Sequence, residues 1–386
     1  MAQIEVKPMV HTAPTTRLNI LHVGPGFGQR GGVASVLSEL AARKMLFENE
    51  GISLRFFETR GFKRPLDFAF FGLVDIPRFV FALSKKVDIV HFHVSAKGSF
   101  YRKFALYSLA RLMGKKTLFH WHASDLDGFR ASAGPVVASA VTKFIRGADA
   151  AIGVSREMSK DLARQRGGNR GIYTIGNSAH EAETAADRVN KTSRRESNAP
   201  PYIAFAARFV PEKGIADLFN AMALLKAEGC LVHLRLAGTG DSRAWTKMIE
   251  DLGIGDRVTF VGWLSGAEKL EFYRDALVFC LPSHRESFGI VTLEAMFSGV
   301  AVIGIRTGGF FDLVEEGVTG YLVEPRAPEA LASSIKTLVE NPDRARKMGL
   351  AGLERARRLY STGTIVSQYI QCYRDVAVKK RGQQCA

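Results

Sequence analysis

Along the first 178 residues, short apolar runs of strand length alternate with longer stretches whose apolar positions recur at helical spacing. The runs are "LNILHV", "SLRFFE", "DIVHFHV", "KTLFHW", "AAIGVS" and "IYTIGN". That alternation is the pattern of an α/β domain built on a parallel sheet. It fades in "SAHEAETAADRVNKTSRRESNA", rich in Ala, Ser, Thr and charge and followed by Pro200 and Pro201, so residues 179–200 read as a linker. It restarts with "YIAFAAR", "HLRLAG", "VTFVGW", "LVFCLP", "AVIGI" and "GYLVEP". The chain therefore reads as two α/β domains, 1–178 and 201–359. The tail 360–386 has apolar residues at helical spacing and a basic end, and is expected to form a last helix that packs back on the first domain. No repeat of solenoid period is visible.

At 386 residues the chain is too long for one comfortable core, and its 46% hydrophobic and 24% charged content is that of an ordinary globular protein. Cys230, Cys280, Cys372 and Cys385 lie far apart with no C-x-x-C pair, which argues against a disulfide framework or a zinc site and for a reducing compartment. The N-terminus lacks an apolar stretch of signal-peptide length, and the most apolar window, "LDFAFFGLVDIPRFVFAL", is broken by Asp67, Asp75, Pro77 and Arg78. The expectation is a cytoplasmic protein, with peripheral attachment to the inner face of the plasma membrane left open. Charge bears on that point. Residues 1–178 hold 26 basic against 13 acidic side chains, a net +13, while residues 200–359 hold 19 against 20. Such asymmetry points to an anionic surface or ligand for the first half, or to a solubilising surface. Phe68, Phe70, Phe71, Phe79 and Phe81 amid Lys63, Arg64, Arg78, Lys85 and Lys86 admit two readings, a face at a membrane interface or a helix packed on the sheet. Stacking aromatics on strands and recognition helices are missing, so nucleic acid is not expected as a partner.

Chemistry-bearing residues cluster after strand ends. "GPGFGQRGGVASVLSEL" places Gly26, Gly28 and Gly31 in a G-x-G-x-x-G pattern, and Glu58 follows the next strand-like run. One class of function is thus an NAD-dependent oxidoreductase using the Gly26–Gly31 turn. Pro25 stiffens that turn, however, and Gly31-Gly32 at the helix start are the better-placed pair for close backbone approach to a ligand. In the second half, Arg208 and Lys213 follow the strand "YIAFAAR", and a guanidinium fork with an ammonium suits a diphosphate. "SHRESFGIVTLEAMFSGVAVIG" reads as a helix capped by Ser283 or Ser287 and stopped by Gly299. The N–H groups of Phe288, Gly289 and Ile290 would then form an anion site, and Glu286 and Glu294 would stand ~12 Å apart on one face, two turns at 1.5 Å per residue.

Arg208 with Lys213-Gly214, the "GTGD" after "HLRLA", the "FVGW" after "RVT", the Glu286 to Glu294 spacing and "GGVASVLSEL" together resemble the retaining family-four glycosyltransferases of bacterial polysaccharide assembly. The resemblance implies the GT-B fold, two Rossmann-like domains whose parallel sheets face a central cleft. It implies a metal-independent hexosyltransferase, with no cofactor, whose donor is GDP-mannose or a UDP-hexose. Arg208 and Lys213 would hold the donor diphosphate, Glu286 the transferred sugar and Glu294 the ribose hydroxyls. Gly238, Gly262 and Trp263 would complete the donor site with Ser287, Phe288, Gly289 and Ile290, while Gly31 and Gly32 would approach it from the first domain.

By the same resemblance His122, in "HWHASD", is the active-site histidine, and it shares a face with His120. Asp125 and the cations Lys97, Arg102 and Lys103 would meet the acceptor, a free or lipid-linked saccharide, with a polyprenyl-diphosphate carrier as the first expectation. "SDLD" contains a D-x-D after a strand, so insensitivity to EDTA is the check on metal independence.

Overall fold

The computed structural model describes residues 17–29, 31–61, 66–179 and 200–378. They form two six-stranded parallel sheets. The first contains β1 (Leu18–Pro25), β2 (Ile52–Thr59), β3 (Ile89–Val94), β4 (Lys116–Trp121), β5 (Ala150–Gly153) and β6 (Ile172–Thr174), in the order β2-β1-β3-β4-β5-β6. The second contains β7 (Tyr202–Arg208), β8 (His233–Thr239), β9 (Val258–Gly262), β10 (Val278–Cys280), β11 (Ala301–Ile305) and β12 (Gly320–Val323), in the order β12-β11-β10-β7-β8-β9. All twelve apolar runs of the sequence fall on these strands. Parallel strands covered on both faces carry continuous apolar sequences, and β3 is buried at every position. The strand order reverses between β1 and β3 and again between β7 and β10, the places where open α/β sheets bind ligands beyond their strand ends.

The chain divides into two compact units. One comprises residues up to Phe119, Gly147–Ala150 and the stretch from Val366; the other comprises His120–Arg146 and Ala151–Ile365. Residues 180–199, most of the expected linker, lie outside the described residues, as do Lys63, Arg64 and the basic end of the tail.

In the first unit, His22 on β1 and His91 and His93 on β3 are fully buried, with ring nitrogens within 4.8 Å of one another. The last helix, Thr362–Val378, brings Tyr373 to them. Its hydroxyl lies 2.9 Å from His91 Nδ1 and 3.3 Å from His22 Nε2, and His22 Nδ1 lies 2.9 Å from His93 Nε2. With one proton to give, the hydroxyl donates to one ring and accepts from the other. Burial pushes the His22 imidazole down to about 3, so it is neutral in the folded protein. Lys116 Nζ donates to the carbonyls of Val376 (2.8 Å) and Ala377 (2.6 Å), a cation at a helix C-terminus.

Residues 66–84 form a helix Leu66–Phe70, a π-helical turn Phe71–Asp75 and a helix Ile76–Ser84. Phe79 packs on Phe57 (ring centroids 5.1 Å apart) and Phe92 (6.4 Å) and is fully buried. Phe68, Phe70 and Phe81 instead face solvent. The segment is thus fixed on one side and apolar on the other. No helix among the described residues is long and apolar enough to cross a membrane.

Candidate functional site

The second sheet gathers its expected site residues at the C-terminal ends of neighbouring strands. Arg208 ends β7 opposite Thr239 of β8, Gly238 faces Ala207, and Gly262 at the end of β9 pairs with Ala237. Arg208 is exposed and, among the described residues, has no ion-pair partner. Trp263 follows β9 with about half of its surface exposed.

Loops after β7 and β10 are knitted across the reversal of strand order. Gly214 has φ +70°, and a Cβ there would lie 1.9 Å from the Pro282 carbonyl oxygen, so only glycine lets the two loops touch. His284 N–H donates to the Glu212 carbonyl at 3.0 Å, and the His284 ring meets the Asp217 carboxylate at 2.7 Å. Lys213 Nζ, mostly buried, donates to Glu286 Oε2 at 2.7 Å. The pair leaves an ammonium and a carboxylate fixed at the strand ends, beside the unpaired guanidinium's strand.

Three sequence expectations about the next helix need correction. It spans only Ile290–Phe297, and Gly289 at its N-cap has φ +92°. That backbone conformation lies outside a right-handed helix, so Glu286 sits in the preceding loop and the two-turn spacing to Glu294 does not apply. Neither serine caps the helix: Gly289 does, without a side-chain bond, and the buried Ser283 hydroxyl lies instead at the carbonyls of Glu212 (3.4 Å) and Arg285 (3.2 Å). Phe288 is buried edge-on against Tyr360 with ring centroids 5.4 Å apart, so it has only backbone to offer a ligand. The first-turn N–H groups from Ile290 onward have no intrahelical acceptors and remain suited to an anion. On the helix itself, Glu294 meets Lys269 Nζ (2.6 Å) and the buried Tyr273 hydroxyl (3.1 Å).

Sequence reasoning missed what holds this loop. After β11, Thr307-Gly308-Gly309 passes so close that a Cβ on Gly308 would lie 2.0 Å from the Glu286 carbonyl oxygen, and one on Gly309 would lie 2.3 Å from Phe288 Cα. Gly309 N–H donates to that Glu286 carbonyl at 3.2 Å. The signal was present as a glycine pair just past a strand end.

Arg285 was missed too. Its guanidinium pairs with Asp125, whose other oxygen accepts the Gly128 N–H at 2.7 Å and caps the helix Leu126–Ser132. Asp127, the second acid of "SDLD", accepts from Arg164 (3.1 Å) and Gln165 (2.9 Å). Both aspartates are thus held by protein donors. A cavity of about 290 Å³ opens here, lined by Trp121, Asp125, Arg285, Glu286, Ser287 and Thr307 among others. His122 follows β4, its ring centroid 4.0 Å from that of the buried His120.

The remaining expected residues belong to the first unit. Gly31 caps the helix that starts at Gly32, and Lys97, exposed, caps the helix Gly98–Leu112 with φ +56°, a strained value for a side-chain-bearing residue. Arg102 and Lys103 do not offer an acceptor an exposed pair of cations: both are buried. Lys103 Nζ donates to the hydroxyls of Thr59 (3.0 Å) and Ser99 (3.3 Å), and burial, helped by the neighbouring Arg102 charge, pulls its ammonium down to about 7.

Residues 187–355 match the family described as "Glycosyl transferases group 1". A D-inositol 3-phosphate glycosyltransferase of Corynebacterium glutamicum is 34% identical over 199 residues, 49% of this chain and 47% of that one. The chain spans about half the length of this curated relative. Among solved structures, a sucrose-phosphate synthase of Thermosynechococcus elongatus superposes with a TM-score of 0.74 at 22% identity, covering 93% of this chain and 99% of the other. Anabaena HepE in complex with UDP gives 0.71 at 19% identity, covering 93% and 100%.

Proposed function

With residues 187–355 matching the glycosyl transferases group 1 family and the chain adopting the GT-B fold, we propose that it transfers a hexose from a nucleotide-diphosphate sugar to a saccharide acceptor. The observation that carries the reading lies at the C-terminal ends of the two central strands of the second sheet, where Arg208 and Lys213 follow β7 and Lys213 reaches across the reversal of strand order to Glu286 after β10. Positive groups fixed there stabilise the negative charge that grows on the departing diphosphate, in a place where they need not reorganise. The first-turn N–H groups after Gly289 add to that stabilisation. The Lys213 ammonium in turn orients Glu286, whose carboxylate is positioned to accept hydroxyls of the transferred sugar. Glu294, braced by Lys269 and Tyr273, takes the ribose hydroxyls, with Gly238, Gly262 and Trp263 near the base. HepE holds UDP, which favours a UDP-hexose over GDP-mannose.

Transfer proceeds with retention and without a metal. The acceptor hydroxyl attacks C1 on the face from which the diphosphate leaves; the C1–O bond to phosphate breaks as the new glycosidic bond forms, and the hydroxyl proton passes to the leaving phosphate oxygen. His122 contacts the sugar, while Lys97 and Asp125 face the acceptor, a saccharide on a polyprenyl-diphosphate carrier in surface polysaccharide synthesis. The residues 1–178 and 201–359 act as acceptor and donor domains joined by 179–200.

Arg208→Ala and Lys213→Ala should each lower turnover at least ~100-fold, the scale of losing one preorganised donor to developing charge; the melting temperature should stay unchanged for exposed Arg208 and fall for Lys213, whose loss leaves the Glu286 carboxylate without its partner. Steady-state assays with a UDP-hexose and a membrane extract, run with and without EDTA, are the check. A variant that saturates and turns over normally overturns the assignment, and loss of activity in EDTA overturns metal independence.

A further inference from the structure

The helical segment 66–84 presents a ridge of apolar side chains to solvent. Leu66, Phe68, Phe70, Leu73 and Phe81 are 68, 61, 48, 79 and 65% exposed, and Val80 stands among them at 37%. The segment is roughly 28 Å long at 1.5 Å per residue. Large apolar side chains exposed in such number along one short segment mark a site of contact, and the arrangement of charge around them indicates the kind.

Acidic groups are turned inward. Asp75 is buried in the π-helical turn, 3.5 Å from Arg78 and 4.0 Å from Arg60. Beneath it the buried Arg102 guanidinium is depressed by desolvation, and the charges of Asp75 and Asp67 work against that. Cations are turned outward. Lys85 Nζ lies 4.9 Å from the Phe81 ring centroid, the Arg60 guanidinium lies 5.6 Å from that of Phe70, and Lys86 is exposed beside Lys85. Aliphatic stems laid along aromatic rings with charged heads beyond them are the layout of side chains that span an acyl boundary and reach phosphate.

We propose that this ridge docks the protein flat on an anionic lipid bilayer, with Phe70, Leu73 and Phe81 in the acyl boundary and Arg60, Lys85 and Lys86 at the headgroup phosphates. Side chains that stand half to four-fifths exposed form a convex edge, which a rigid protein partner must match with a groove and a fluid bilayer receives without one. The cationic excess of residues 1–178 adds long-range attraction to the same surface. The proposal does not rest on the sugar-transfer reading.

Co-sedimentation of the full chain with vesicles of phosphatidylcholine, alone or mixed with phosphatidylglycerol, tests it. The protein should sediment with the mixed vesicles at low salt and be released at high salt. Leu73→Ser combined with Phe81→Ser should weaken binding at least about tenfold, because each buried side chain of this size contributes more than a tenfold change in affinity. Both positions are exposed, so the melting temperature should not move. Lys85→Glu with Lys86→Glu should weaken binding to the anionic vesicles alone. Failure of the wild type to sediment at low salt, or equal binding by the serine variant, overturns the proposal. So does a concentration-dependent dimer that the serine variant abolishes, which would give the ridge to a second copy of the chain. Sugar transfer plays no part in the readout, so an inactive protein that still binds vesicles counts only against the enzymatic reading.

Discussion

The Lys103 ammonium is held by two hydroxyls and, among the described residues, forms no ion pair. Its value near 7 in the folded protein lies far below the ordinary value of 10.5. Between those two pH values the unfolded chain binds a proton that the folded chain does not, so stability rises with pH across that window and the cost of burial is fully felt below it. Lys103→Met should therefore raise the melting temperature at pH 7, and its advantage over the wild type should shrink as the pH is raised toward 10; thermal melts at several pH values measure this. The burial was legible. Lys103 stands three residues after Phe100 and three and four before Leu106 and Tyr107, all buried on one helix face. The charge of the side chain suggested surface, and the helical period, which said interior, was the better guide. Arg285 was opaque for the opposite reason, since nothing local to "SHRES" announces a partner 160 residues earlier in the chain.

Among elements, the twelve strands were readable because parallel strands buried on both faces leave an apolar signature in the sequence. The start of the helix Ile290–Phe297 was not, because it is set by one backbone dihedral at Gly289 rather than by a capping side chain. The loop carrying Glu286 likewise owes its position to Gly308, where a methyl group would meet a backbone oxygen that cannot move aside cheaply. Gly308→Ala should destabilise the protein by about 2 kcal/mol or more, from the collision added to the strain of a positive φ. Gly317 has φ +74° with nothing near its missing Cβ, so Gly317→Ala should cost only the strain, about 1 kcal/mol. Urea unfolding of the two variants tests the comparison, and equal losses would mean the loop yields. Nucleotide affinity should fall in the first variant and not in the second.

For the molecule as a whole, the asymmetry of charge was written in the sequence and the apolar ridge half-written, since five phenylalanines were visible but not which of them faced inward. The histidine cluster was not legible, because β1, β3 and the last helix meet only in three dimensions. Tyr373→Phe removes the hydroxyl shared by His91 and His22 and leaves buried ring nitrogens short of a partner, at a cost of about 1–3 kcal/mol. Chemical denaturation should register that loss. Tyr369→Phe, on the same helix and stacked on Tyr373 at 6.0 Å, is the comparison for a change that leaves this hydroxyl in place.

That closing helix also sets an order of events during synthesis. The first 119 residues leave the ribosome long before Val366, and at 5–20 residues per second the wait is roughly 10 to 50 s. Throughout it, the face of β1 and β3 that will receive Tyr369 and Tyr373 lacks its cover, with three histidines among otherwise apolar neighbours. Residues up to Phe119 are thus made well before the segment that completes their unit, and a translational stop or a nick ahead of the helix Thr362–Val378 would leave that unit uncovered and open to chaperone capture.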